Sequence, residues 1–198
     1  MRRQQVLEAA GEVLLHEGFR AMTHRRVAEA AGVPLGTTTY YFTDRGDLMR
    51  ATVAMFLERE QVRRAGVRAS GSSRPATARA LVELLLPAEA GSSGSSGSSR
   101  QQGAVIYERL GEALRDDGLR AMVSRDYADL ESHVARILCA ANPAAAPAPD
   151  EGLVLALAEG RLLQWLASER PLNTLVAAVA TDLATLTAFS PGRPPGSA

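Results

Sequence analysis

Cysteine occurs once, at Cys139, which excludes an internal disulfide framework and leaves the thiol the expected role of a small buried hydrophobe. Aromatic residues make up only 5% of the chain while alanine is abundant, a balance that favours helices over sheets. No run of about 18 apolar residues occurs, and the first residues lack a charged-then-apolar leader pattern. The expectation is a soluble, cytoplasmic protein with no membrane partner. A Gly-rich phosphate loop, a Cys/His cluster and a serine elbow are also missing, so no catalytic residue, metal site or cofactor is expected. His16, His24 and His133 stand isolated. The carboxylates Glu108, Glu112, Asp116, Asp126 and Asp129, with no histidine at metal-ligand spacing, read as solvated helix faces.

What is present is ample apolar material, 46% of 198 residues, enough for a small domain joined to a larger one. Lysine is absent, and the formal net charge is +0. That zero hides a polarity: residues 1–80 carry 13 Arg against 8 Asp and Glu, whereas residues 81–198 carry 9 against 14. A positive head on an acidic body fits nucleic-acid binding, although the field is modest.

The head contains the most informative stretch, Met22 to Leu48. Thr23 is a good helix N-cap, able to accept the amide hydrogen of Arg25 or Arg26, and Val27, Ala28 and Ala31 then share one face. Gly32 stops that helix by allowing a left-handed residue; Val33 can tuck into the core and Pro34 suits the opening of the next helix. In the segment from Leu35 to Phe42, Thr38 and Phe42 are expected to face inward, leaving Leu35, Gly36, Thr37, Tyr40 and Tyr41 outward. Three consecutive threonines and a glycine make a poor autonomous helix, so packing must hold it. Its outward groups are small, hydroxyl-bearing or aromatic, which suits phosphates and thymine methyl groups in a major groove.

These residues resemble the tetracycline-repressor (TetR) family of bacterial transcription regulators. The resemblance runs from about Val6 to Leu48 and rests on Ala9-Ala10, Gly18-Phe19, Thr23, Val27-Ala28, Ala31-Gly32-Val33, Gly36-Thr37, Tyr41-Phe42 and Asp44-Arg45 before Leu48. Departures are Pro34 for a serine-like cap, Thr38 for an apolar residue, Thr39 for a tyrosine and Arg45 for a lysine. The resemblance implies an all-α protein: an N-terminal three-helix helix-turn-helix DNA-binding domain, residues 1–48, joined by a linker helix to a larger helical ligand-binding and dimerisation domain, residues 49–190. The DNA-binding candidates are Thr23, His24, Arg25, Leu35, Gly36, Thr37, Tyr40, Tyr41 and Arg45. Arg45 takes the place of a lysine that contacts phosphate in the family, and a cation in a helix's first turn, opposing the dipole, asks for some such partner.

Along the rest of the chain, Arg3 to His16 is an amphipathic first helix, with Arg2 and Arg3 either reaching DNA or fraying in solvent. Asp44 and Asp47 form an acidic capping box for a helix to about Gly66, with Leu48, Val53, Phe56, Leu57 and Val62 apolar and Arg59, Arg63 and Arg64 on a solvated face. Pro75 opens a helix burying Leu81, Leu84, Leu85 and Leu86. Residues 91–99 repeat Gly-Ser-Ser three times, a flexible linker either natural or engineered. Helices follow over Gln101 to Asp116 and Leu119 to Ala140, separated by Gly118; after a Pro-Ala loop at 142–149 come Glu151 to Ser168, capped by Asp150, and a last helix from Pro171. Residues 191–198 read as a disordered tail.

By the resemblance, two closing helices dimerise in a four-helix bundle through Leu153, Leu157, Leu172, Leu175, Val176, Val179, Leu183 and Leu186, and the body encloses a pocket. Its candidates are Leu84, Tyr107, Met122, Tyr127, Leu130 and Trp165. The expected function is a ligand-responsive repressor on a near-palindromic double-stranded DNA operator, released by a small apolar or aromatic effector that alters the spacing of two recognition helices. The alternatives are an activator or ligand-independent regulator, and, more remotely, a helical enzyme or binding protein with an incidental helix-turn-helix.

Overall fold

The local signals around Thr23 and Gly32 are realised in the computed structural model, which describes residues 1–86, 107–108, 111–112, 115–141 and 150–188. The expectations for 91–99, for most of 101–114, for 142–149 and for 191–198 lie outside these residues. All regular structure among the described residues is helical: α1 (Arg2–Glu17), a 3-10 turn (Phe19–Ala21), α2 (His24–Ala31), α3 (Leu35–Tyr41), α4 (Arg45–Gly66), α5 (Arg74–Leu85), α6 (Asp117–Ala141), α7 (Glu151–Leu166) and α8 (Leu172–Ala188). No described helix is long and apolar enough to cross a membrane. The chain divides into two compact units, residues 1–66 with 86–129, and residues 67–85 with 130–198.

In the first unit each helix boundary has a chemical cause. Gly18 ends α1 at φ 79°, the Thr23 hydroxyl accepts the Arg26 amide at 3.2 Å, and Gly32 ends α2 at φ 63°, ψ 36°. The acidic capping box before α4 forms with a shift: the Asp47 amide donates to Asp44 Oδ1 at 2.7 Å, but the Asp47 carboxylate accepts from Thr43, one residue before the cap. α1 packs on α2 and α4, and α2 on α3. Their core is Val6, Ala10, Val13, Leu14, Phe19, Met22, Val27, Phe42, Leu48 and Val53, closed by Leu119 and Val123 from α6. Each large side chain in it contributes about 1.5–3 kcal/mol by leaving water.

Several sequence expectations are corrected. Gly118 does not separate two helices; it lies in the first turn of α6, which Asp116 caps by accepting the Leu119 amide at 2.8 Å. Val62 is 79% exposed, because the buried face of α4 runs Met49, Val53, Leu57, Glu60, Arg64 and leaves position 62 on the other side. Arg64 is therefore not on a solvated face, and neither is Asp126. Asp126 is only 1% exposed and accepts from Arg64 Nη1 at 2.6 Å, while Glu60, also buried, accepts from Arg63 at 2.7 Å. Burial of both partners together is what makes these charges tolerable. Cys139 is exposed, since it lies two residues, roughly 200°, around α6 from buried Ile137.

In the second unit, α5 packs against α7 and α8, and α7 against α8. Asp150 caps α7 as expected, accepting the Leu153 amide at 2.7 Å. Arg161 on α7 donates to both carboxylate oxygens of Asp182 on α8, at 2.7 and 2.8 Å. The carboxylate raises the affinity of Arg161 for its proton. Leu84, Leu162, Leu175, Val179 and Leu183 are buried here within one chain. Three of the expected dimer residues, Leu175, Val179 and Leu183, are thus core residues of the unit, because α8 turns that face onto its neighbours.

Candidate nucleic-acid interface

α3 has little intrinsic reason to be a helix, and its inner side explains why it forms. Phe42 is buried at its end, and buried Thr38 satisfies its hydroxyl by donating to the Leu35 carbonyl at 2.8 Å. That bond lets a threonine occupy a core position. The outer side shows Leu35 at 51% and Tyr40 at 81% exposure, with Gly36 and Thr39 also exposed. Thr37 and Tyr41 are half-buried, Tyr41 packing on the core and setting its ring edge-on to Tyr40 with centroids 5.0 Å apart. The exposed face is therefore centred on 35, 36, 39 and 40. Thr39, absent from the sequence-based candidates, belongs to this face by the spacing i, i+1, i+4, i+5.

Gly36 deserves notice for an energetic reason. A Cβ placed there would meet no atom of the chain within 4 Å, so nothing in the fold requires glycine. Alanine would favour the helix by about 1 kcal/mol.

Around α3, Thr23 is exposed and caps α2, and Arg25 is exposed with its Nε on Glu29 at 3.1 Å. Arg26 instead grips Glu17 through paired contacts, which lower the Glu17 pKa and raise that of Arg26. Arg3 lies 5.3 Å from the centre of the Phe42 ring, within cation–π range. Two candidates are held in ways that their sequence does not disclose. Both ring nitrogens of His24 are shielded from solvent without a hydrogen-bond partner, so the ring is turned inward and is no phosphate donor in this conformation. Arg45, an exposed residue, uses part of its guanidinium internally: Nε donates to the Met22 carbonyl at 2.8 Å and Nη2 to the Phe19 carbonyl at 2.7 Å. Those carbonyls occupy two of its N–H groups, while Arg45 as a residue stays exposed at the start of α4.

The pocket candidates divide between the units. Tyr107, Met122 and Tyr127 are half-buried in the first, Met122 and Tyr127 packing on its core. Leu84, Leu130 and Trp165 are buried in the second. Trp165 borders an open groove of about 290 Å³ with Arg161, Gln164, Ser168, Thr174 and Leu175. Among the described residues, no group of three His, Cys, Asp or Glu is arranged to hold a metal.

The sequence pattern of "Bacterial regulatory proteins, tetR family" matches residues 6–52, and that of "Tetracyclin repressor-like, C-terminal domain" matches residues 90–187. The chain belongs to the TetR family. It is a TetR-family transcriptional regulator with an N-terminal helix-turn-helix domain and a helical C-terminal domain. No curated protein sequence matches it. Among solved structures, EbrR, a multidrug binding protein complexed with proflavin, is 26% identical at a TM-score of 0.64, covering 94% of this chain and 99% of its own. A protein of Streptomyces coelicolor A3(2) assigned to transcriptional regulation is 23% identical at TM-score 0.68, with 94% and 98% covered. Another from Saccharomonospora viridis, in complex with choline, shares the fold at 18% identity and TM-score 0.70, with 95% and 96% covered.

Proposed function

We propose that this TetR-family regulator is a homodimeric repressor whose ligand-bound form holds its operator less well. The observation that carries DNA reading is the outer face of α3, where exposed Leu35, Thr39 and Tyr40 surround a glycine that the fold itself does not require. The second copy is supported by α7. Leu153 at 48%, Ala156, Gly160, Leu163 at 51% and Ala167 are all exposed and fall on one stripe. Gly160, like Gly36, has open space where a Cβ would stand, which suits the close approach of another helix. Two such copies would present two α3 helices to half-sites about 34–36 Å apart. A small aromatic effector is supported by EbrR, which binds proflavin, and by the groove beside Trp165.

The test begins with DNA selected from a random pool by the full chain. The selected site should be near-palindromic, its log affinity should fall linearly with log salt, and the complex should contain two chains. Proflavin at increasing concentration then serves as effector probe, with release of DNA as the expected result. Salt-insensitive binding, or tight binding by a chain that sediments as a monomer, would sink the proposal. Failure of proflavin alone would remove the aromatic effector and leave DNA reading intact.

A further inference from the structure

The turn between α1 and α2 is held from two directions. On one side Arg45 donates to the carbonyl oxygens of Phe19 and Met22. On the other, the Phe19 amide donates to Glu108 Oε2 at 3.1 Å. Glu108 lies 89 residues further on, inside the C-terminal family pattern, whereas Phe19 lies inside the N-terminal one; both belong to the first compact unit. The approach depends on Gly18. Its φ of 79° disfavours any side chain, and a Cβ there would stand 2.6 Å from Glu108 Oε2, closer than real Cβ atoms come. The sequence therefore leaves a gap at Gly18 and fills it with a carboxylate from a distant segment. Arg50 of α4 donates to Asp116, eight positions further along the chain, at 2.7 Å, a second tie within the same unit.

We propose that Glu108 is a positioning residue for DNA reading: by holding the Phe19 amide it fixes the turn that sets α2 and α3, and it makes that geometry depend on a residue of the C-terminal family pattern. The contact chain is short. Glu108 holds one end of the Phe19 residue, Arg45 holds the other, and Phe19 itself is buried in the core on which α3 rests. A charge-assisted bond to an amide is worth more than a neutral one, and Glu108 is an exposed residue, so its removal leaves the core packed. This inference rests on the DNA-reading function and not on any effector.

The sign of the effect separates positioning from simple electrostatics. Deleting a carboxylate near a DNA-binding surface should by itself tighten binding to a polyanion. Loss of positioning weakens it. Glu108→Ala should therefore lower affinity for the selected site about tenfold, leave random-sequence DNA bound as well or slightly better, and leave the protein folded at the assay temperature. Glu108→Gln, which keeps an acceptor but loses the charge, should stay within about threefold of the parent. Hydrogen exchange at the Phe19 amide, measured without DNA, should accelerate about tenfold in Glu108→Ala. Unchanged Phe19 exchange would overturn the contact. Equal losses on selected and random DNA, or a Glu108→Gln variant as impaired as Glu108→Ala, would overturn the positioning role. Should the parent chain select no DNA at all, the proposed function fails, and Phe19 exchange alone then decides whether Glu108 holds the turn.

Discussion

Gly36 sets helix stability against binding at a single position. Because its Cβ site is open, Gly36→Ala should raise stability by about 0.5–1 kcal/mol in denaturant unfolding. The same variant should weaken binding to selected DNA, since a methyl group would stand where a close partner is expected. Tyr40→Ala, at an exposed position, should cost about 1–3 kcal/mol of DNA affinity with the unfolding midpoint unchanged. An unfolded Tyr40→Ala protein would mean that the outer face of α3 has been misassigned. Asp116 offers a pH-dependent counterpart. Its carboxyl is held below its ordinary range first by the Leu119 amide, at 2.8 Å, and then by Arg50, at 2.7 Å. The unfolded chain therefore takes up this proton at a higher pH than the folded one. The group's contribution is complete above the ordinary aspartate pKa, about 3.9, and is lost as pH falls through the lowered folded value. Thermal melts of the parent and Asp116→Asn should differ at neutral pH and converge towards acid; parallel curves would show that Asp116 carries no such linkage.

Among elements, α4 shows both what a sequence discloses and what it conceals. Its start was legible, because Asp44 and Asp47 act through neighbours three and four residues away. So were the ends of α1 and α2, where Gly18 and Gly32 answer to local backbone geometry. The lower half was not. Glu60, Arg63 and Arg64 have the composition of a solvated face, and the burial of Arg64 draws on a distant partner, Asp126, 62 residues away. The carbonyl partners of Arg45, at Phe19 and Met22, are hidden for the same reason: backbone groups have no sequence signature. The buried pair has a measurable consequence. Arg64→Met alone leaves the Asp126 charge in the core and should cost about 3–5 kcal/mol. Adding Asp126→Leu should recover most of that loss in urea titration, and a double variant no better than the single one would mean that the ion pair is not the source of the cost.

On the scale of the whole molecule, the closing helices have two apolar sides, and periodicity cannot say which side faces the same chain. The structure assigns Leu175, Val179 and Leu183 inward and leaves Leu153 and Leu163 outward. Two glutamate substitutions should accordingly fail in different ways. Leu163→Glu should yield a folded monomer with poor DNA binding, because the charge would disturb only the proposed interface between copies. Leu175→Glu should destabilise the fold itself, because that charge would be buried within one chain. Sedimentation together with circular dichroism distinguishes the two; a Leu163→Glu protein that remains a dimer places the interface on another face.

Trp165 is the only tryptophan, it is 4% exposed, and it belongs to the second unit alone. Light absorbed selectively by indole therefore reports on the unfolding of that unit and is blind to the first, whose aromatic side chains are tyrosine and phenylalanine. A single sharp fluorescence transition would not establish that the protein unfolds in one step. Agreement with a backbone signal summed over both units is the necessary second probe, and a gap between the two midpoints would measure how far the helix-turn-helix can melt while the rest of the chain stands.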